Sequence, residues 1–280
     1  VTTFVRTTKS YDSYGDYWSL VRLSGFPECH LNQVDFGRPE VYVFTYPNLE
    51  TWRFMNAAPK SRKAKFVHWD LERPDLDPAL LEDRGAGFKC DGFDLTWVSD
   101  RSLVPLGTNR LHVVLGSDQR LYDLPEMGDI IPARDFDWCH MSYENGRRAP
   151  VYANLREAGL HEGPNARGRE RRGVLWWSKI MVNAHQTDAP VMEPLRFALA
   201  AVYRMPVVSE RIADPWPLES DFDYFSVDRL GDLGAAVRAL MNDPQSRAAL
   251  ATHLHQKLCV EWPFKRCVEE GVRQTAERLA

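Results

Sequence analysis

Short apolar runs alternate with longer segments of helical period along most of the chain. Residues 2–6 (TTFVR) read as a first strand, followed by a polar, glycine-containing loop and a helical pattern over 17–23. The run VYVFTY at 41–46 has the unbroken apolar character of a buried parallel strand, and a helix follows from a cap at Asn48. Further strands are predicted within 65–74, 93–102 (followed by a cap) and 110–125 (with a loop), then at 136–143, 180–182 and 206–209. Helices fall between them: an amphipathic one that stops at Gly159, an apolar one after Glu193, and a pair broken by Asn-Asp-Pro at 242–244. Alternation of this kind predicts βαβ units and parallel sheets, hence an α/β protein.

Length divides the picture in two. At 280 residues the chain exceeds one ordinary domain and suits two of about 120–150 residues each. The Pro-, Gly- and Asp-rich stretch 124–135 is the expected hinge, giving domains over 1–125 and 126–262, with a last helix over 263–280 crossing back to the first. Hydrophobic content of 44% and charged content of 26% are ordinary for a globular protein. No apolar run reaches the roughly 20 residues of a membrane span, and the opening lacks a signal-peptide pattern. Five scattered cysteines without a CxxC predict reduced thiols, neither disulfide framework nor zinc site. The expectation is a cytoplasmic protein. A net charge of −4 makes no global case for nucleic acid, although basic clusters stand at 60–65 and 165–173.

Candidate chemistry collects at strand ends. In open α/β sheets ligands sit beyond the carboxyl ends of the strands, and Asn183, His185, Ser209 and Glu210 all fall there. Ser178 and Lys179 precede the strand at 180–182, while Glu193 and Arg196 open the next helix. Acidic groups so placed hold ribose hydroxyls; Lys179 and Arg196, with a helix N-terminus, suit a diphosphate. Earlier in the chain, Asp16 is either a helix cap or a base. His68, Asp70 and Glu72 cluster at another strand end, where two carboxylates and a histidine suit proton transfer. Lys60, Arg62 and Lys63 offer phosphate contacts, or only a solvated loop. Asp221-Phe222-Asp223 has the form of a metal-binding Asp-x-Asp but stands in a late loop, so no metal is expected to be required.

The stretch 176–210 carries a resemblance. Ser178-Lys179-Ile180, Asn183-x-His185, Glu193-x-x-Arg196 and Val207-Val208-Ser209-Glu210 resemble the C-terminal half of GT-B glycosyltransferases, in the family-4 and spore-maturation-type branch. The opening DYWSLVRLSGFP is similar to glycosyltransferase-like proteins of actinobacterial phages. The resemblance implies two Rossmann-like domains facing each other across a cleft, with a UDP-sugar donor on the second and the acceptor on the first. It brings the loop with Arg147 and Arg148 to the donor phosphates, places Ser178, Lys179, Asn183, His185, Glu193, Arg196, Ser209 and Glu210 at the donor, Asp16, Asp70 and His68 at the chemistry, and Lys60, Arg62 and Lys63 on the acceptor side. This chain departs from the family-4 pattern at two positions, with Leu199 where many members have Glu and Arg204 where they have Gly. Ribose binding then falls to Glu210 or Glu193. The implied reaction moves a hexose to a hydroxyl, with 5-hydroxymethylcytosine in phage double-stranded DNA as the leading acceptor. The alternatives are a virion protein, a cell-surface glycan, or an inactive nucleotide-sugar-binding module.

Overall fold

The strands form two separate parallel sheets, with side chains buried on both faces along the central strands. The structure, a computed structural model, describes residues 1–7, 15–45, 49–59, 61–71, 92–106, 108–121, 134–142, 144–166 and 168–279. Lys60, Glu72 and most of the expected hinge at 124–135 lie outside the described residues. The chain divides into two compact units, Val1–Leu115 with Phe264–Ala280, and Gly116–Pro263. Gly116 and Asp118 therefore belong to the second unit.

The first unit holds β1 (Thr2–Arg6), β2 (Glu28–His30), β3 (Val41–Phe44), β4 (Lys65–Asp70), β5 (Leu95–Val98) and β6 (Arg110–His112), in the order β2-β1-β3-β4-β5-β6. All these pairings are parallel. The order reverses between β1 and β3, a topological switch point. Helix α1 (Gly15–Leu23) follows β1, and α2 (Leu49–Ala57) follows β3. Alternation along each strand separates two cores. On one face Val5, Tyr42, Phe44 and Phe66 gather with Leu31 and Val34. On the other, Phe4, Tyr17, Trp69 and the Phe264 ring interlock, with Trp69 stacked on Phe264 at 5.7 Å.

The second unit holds β7 (Phe136–Cys139), β8 (Ser178–Asn183), β9 (Val207–Glu210) and β10 (Phe225–Val227), in the order β10-β9-β8-β7. Its helices are α3 (Ala149–Glu157), α4 (Gly168–Trp177), α5 (Pro194–Val202), α6 (Leu233–Met241) and α7 (Pro244–His255). Trp138, Tyr152, Ile180, Val182, Val208 and Val237 form a core on one face, which α3 and α6 cover. Helix α5 is buried almost all round, with Phe197, Ala198, Ala200 and Ala201 fully inaccessible. The last helix, α8 (Phe264–Leu279), packs in the first unit, where Trp97 Nε1 donates to Thr275 Oγ1 at 2.9 Å. Trp18, Trp69, Trp97 and Trp138 are all fully buried.

Candidate functional site

Strand register brings the central polar residues together. Asn183 pairs with Ser209 across β8 and β9, so both strands end at one level. Asn183 is fully buried and uses both ends of its amide. Its Nδ2 donates to Ser209 Oγ at 2.9 Å, and its Oδ1 accepts from Arg196 Nη1 at 2.5 Å. Arg196 is thereby aimed from the first turn of α5 toward the strand ends. The same nitrogen donates to Glu193 Oε2 at 2.6 Å, the residue that precedes α5.

Two consecutive arginines enter from the turn before α3. The Asn145 side chain accepts from the backbone N–H groups of Arg147 and Arg148, at 3.2 and 3.0 Å, and so fixes the turn. Arg148 is buried, donating to the Ala184 carbonyl at 2.9 Å and to Glu193 Oε1 at 3.3 Å. Burial, with the like charge of Arg196, pulls its guanidinium below the usual value. Arg147 reaches over β8 to Glu210, with Nη1 on Oε2 at 2.7 Å and Nη2 on Oε1 at 2.6 Å. That bidentate pair leads the effects raising the Arg147 pKa. Glu210 Oε2 also accepts the His185 backbone N–H at 2.7 Å. Arg147 Nε meets Asp188 Oδ1 at 2.8 Å.

The electrostatics follow from these contacts. Burial works against an ionised Glu193, yet the positive charges of Arg196 and Arg148, with the His185 ring close by, outweigh it, so its carboxyl is held below the ordinary range. His185 is buried; its Nε2 faces the Arg211 carbonyl at 3.1 Å and its Nδ1 stands 3.6 Å from Glu193. Three arginines at the ends of two parallel strands offer positive charge for an anion, with a carboxylate beside them that can accept hydroxyls. Glu193, with a quarter of its side chain exposed, is the more open carboxylate; Glu210 has nearly all its acceptor positions filled.

Of the donor residues expected from the sequence, Arg148, Asn183, His185, Glu193, Arg196, Ser209 and Glu210 come together here. Ser178 and Lys179 do not. They occupy the first two positions of β8, at the opposite edge of the sheet. Ser178 Oγ donates to the Val174 carbonyl at 2.6 Å, and Lys179 Nζ pairs with Asp137 at 2.7 Å. Parallel strands put all carboxyl ends on one edge, so residues that begin β8 cannot share a site with residues that end it. Arg147, expected beside Arg148 at the diphosphate, belongs to the site as well, and so does Asn145, which was not expected from the sequence. The dipeptide Asn145-Gly146 was its available signal, since such pairs mark turns.

In the first unit Asp70 ends β4 and Asp16 stands in the first turn of α1; both are buried. His68 lies inside β4, 2% exposed, with its ring 5.3 Å from that of Phe93. Arg62 is occupied, donating to Asp94 at 3.0 Å with its guanidinium over the Phe66 ring. Lys63 beside it is exposed. Asp221 and Asp223 act as turn-makers in the second unit. Asp221 accepts from the Ser226 N–H at 3.0 Å and fully buried Asp223 accepts from the Glu219 N–H at 2.8 Å. Among the described residues one group, His140, Glu144 and Glu162, has the proximity of metal ligands. The Arg156 guanidinium already bonds both of its carboxylates, which disfavours a second cation there.

No protein-family model matches the sequence, and no curated protein sequence matches it. Solved structures do match. HepE from Anabaena, in complex with UDP and glucose, superposes with a TM-score of 0.64 at 12% identity, covering 99% of this chain and 99% of that one. TarM matches with a TM-score of 0.58 at 11% identity, over 92% of this chain and 57% of its own. Sucrose-phosphate synthase from Thermosynechococcus elongatus gives 0.53 at 11% identity, over 85% and 73%. The chain thus has the α/β fold, with parallel sheets, of the GT-B glycosyltransferases.

Proposed function

We propose that this protein is a glycosyltransferase that moves a hexose from a UDP-sugar to a hydroxyl acceptor. The observation that carries the reading is the arginine and carboxylate cluster at the ends of β8 and β9, in a fold shared end to end with a protein crystallised with UDP-glucose. Arg147, Arg148 and Arg196 neutralise the diphosphate as it leaves, in place of a metal ion. Glu193 accepts the ribose or sugar hydroxyls, and Glu210 holds Arg147 from behind. Asp70 or Asp16 of the first unit supplies the base if transfer proceeds with inversion.

The acceptor offered first is 5-hydroxymethylcytosine in double-stranded DNA. Its support is the similarity of the opening segment to phage proteins, with the basic runs at 60–65 and 165–173. Arg62 gives that acceptor little help, because Asp94 already neutralises it. The test is transfer of radiolabel from UDP-glucose to DNA with and without the modified base, beside calorimetric titration with UDP-glucose. Label on modified DNA alone establishes both reaction and acceptor. Donor binding with slow hydrolysis but unlabelled DNA keeps the transferase and points to a protein or glycan acceptor. Binding with neither hydrolysis nor transfer favours an inactive nucleotide-sugar-binding module, a reading that the apolar, buried Leu199 supports. Absence of UDP-glucose binding overturns the proposal.

A further inference from the structure

Arg147 presents two hydrogen-bonding edges, and their occupants differ sharply in what it takes to displace them. The end-on edge, Nη1 and Nη2, is closed by the Glu210 carboxylate at 2.7 and 2.6 Å. Glu210 is buried, and its Oε2 is further tied to the His185 N–H at 2.7 Å. Pulling it away would strand a charge in a dry environment. The side-on edge, at Nε, is held by Asp188 at 2.8 Å, and the Asp188 side chain is 97% exposed. An ion pair with one partner in water is worth little. Arg147 itself keeps 21% of its side chain exposed.

We propose that Asp188 is an intramolecular placeholder for a ligand phosphate. It occupies the anion-binding edge of Arg147 in the empty site and swings into solvent when a phosphate oxygen takes that edge. Glu210 is a positioning residue: it keeps the Arg147 fork in one orientation through the exchange. Asp188 stands between His185 and Glu193, in the segment that joins β8 to α5. Anion binding at Arg147 therefore releases this segment from its ion pair, beside the carboxylate that serves the ligand's hydroxyls. The inference rests on the nucleotide-sugar reading only for the identity of the ligand; the anion site stands without it.

The experiment is calorimetric titration of the full chain with inorganic pyrophosphate and, separately, with UDP. Asp188→Asn is compared with Glu157→Gln, which removes an equal charge from an exposed position in α3. Loss of the placeholder is expected to tighten pyrophosphate and UDP by about two- to fivefold over the Glu157→Gln control. In an Arg147→Met background the gain from Asp188→Asn disappears. Equal pyrophosphate affinity in the two charge variants, or none detectable in either, overturns the placeholder. Tighter pyrophosphate with no UDP binding in any variant keeps it and removes the nucleotide reading instead. Should Arg147→Met not fold, the comparison of the two charge variants decides alone.

Discussion

Arginines and carboxylates crowd the ends of β8 and β9, so the outcome of a single substitution depends on which edge of the sheet it touches. Lys179 is four residues before Asn183 in β8, and a rise of about 3.3 Å per residue puts their Cα atoms about 13 Å apart. Lys179→Met is therefore expected to leave UDP-glucose turnover near the wild-type rate. Its partly exposed pair with Asp137 should cost less than about 1 kcal/mol in urea unfolding. A collapse in turnover with stability intact would return Lys179 to the diphosphate site. Glu193 gives a pH signature. Its folded pKa lies below the unfolded value of 4.5, so the folded state binds the proton more weakly than the unfolded chain. The stability it adds is complete above pH 4.5 and is lost as pH falls through the lower folded value. The urea midpoint of wild type over Glu193→Gln should hold a constant lead above that pH and lose it below. A lead that grows on acidification contradicts the pairing. Residues such as Asn183, His185, Glu193 and Glu210 were legible in the sequence because each abuts a strand end or a helix start. The Arg147–Glu210 fork was not, because its partners are 63 residues apart and only the β8–β9 register brings them together.

At the scale of the element, the end of α5 shows how a departure from a family pattern is absorbed. Arg204, where the resembling enzymes carry Gly, has φ of 44°, in the left-handed region. The Met205 N–H bonds the Ala200 carbonyl at 3.0 Å and the Arg204 N–H bonds the Ala201 carbonyl at 3.2 Å. That double closure is the Schellman motif, which satisfies the last carbonyls of the helix and favours glycine at this residue. Arg204 is exposed, so its side chain forfeits little packing. Arg204→Gly is expected to raise stability by about 0.5–1 kcal/mol, the relieved left-handed strain exceeding the added entropy of the unfolded chain. A lower thermal midpoint for Arg204→Gly would show that the arginine side chain contributes more than its exposure suggests. The neighbouring departure acts differently: Leu199 is 1% exposed within α5, so the position that holds a donor-binding Glu in the resembling enzymes is spent on the core here. The helix itself was legible from its apolar run. Its conformation at Arg204 was visible only through the resemblance, since no local signal puts arginine at a positive φ.

Across the whole molecule, the alternating pattern announced parallel α/β architecture because buried parallel strands need apolar runs and crossover helices. Long-range pairings such as Trp97 with Thr275, 178 residues apart, leave no such trace in the sequence. Each unit has its own aromatic or aliphatic core, and the residues argued to hold the donor all belong to Gly116–Pro263. A ligand that binds the native state alone stabilises what it touches, by about 2.7 kcal/mol at a hundredfold excess over Kd. Amide hydrogen exchange with saturating UDP should therefore slow at the ends of β8 and β9, at the turn carrying Arg147 and Arg148, and at the start of α5. Amides of β3, β4 and β5 should exchange at their ligand-free rates, because their opening does not require release of the nucleotide. Protection confined to the β4 and β5 ends would move the donor to the first unit and undo the assignment of every arginine named above. Protection of both sheets together would mean that the two units open as one cooperative body, and that donor binding is coupled to residues it does not touch.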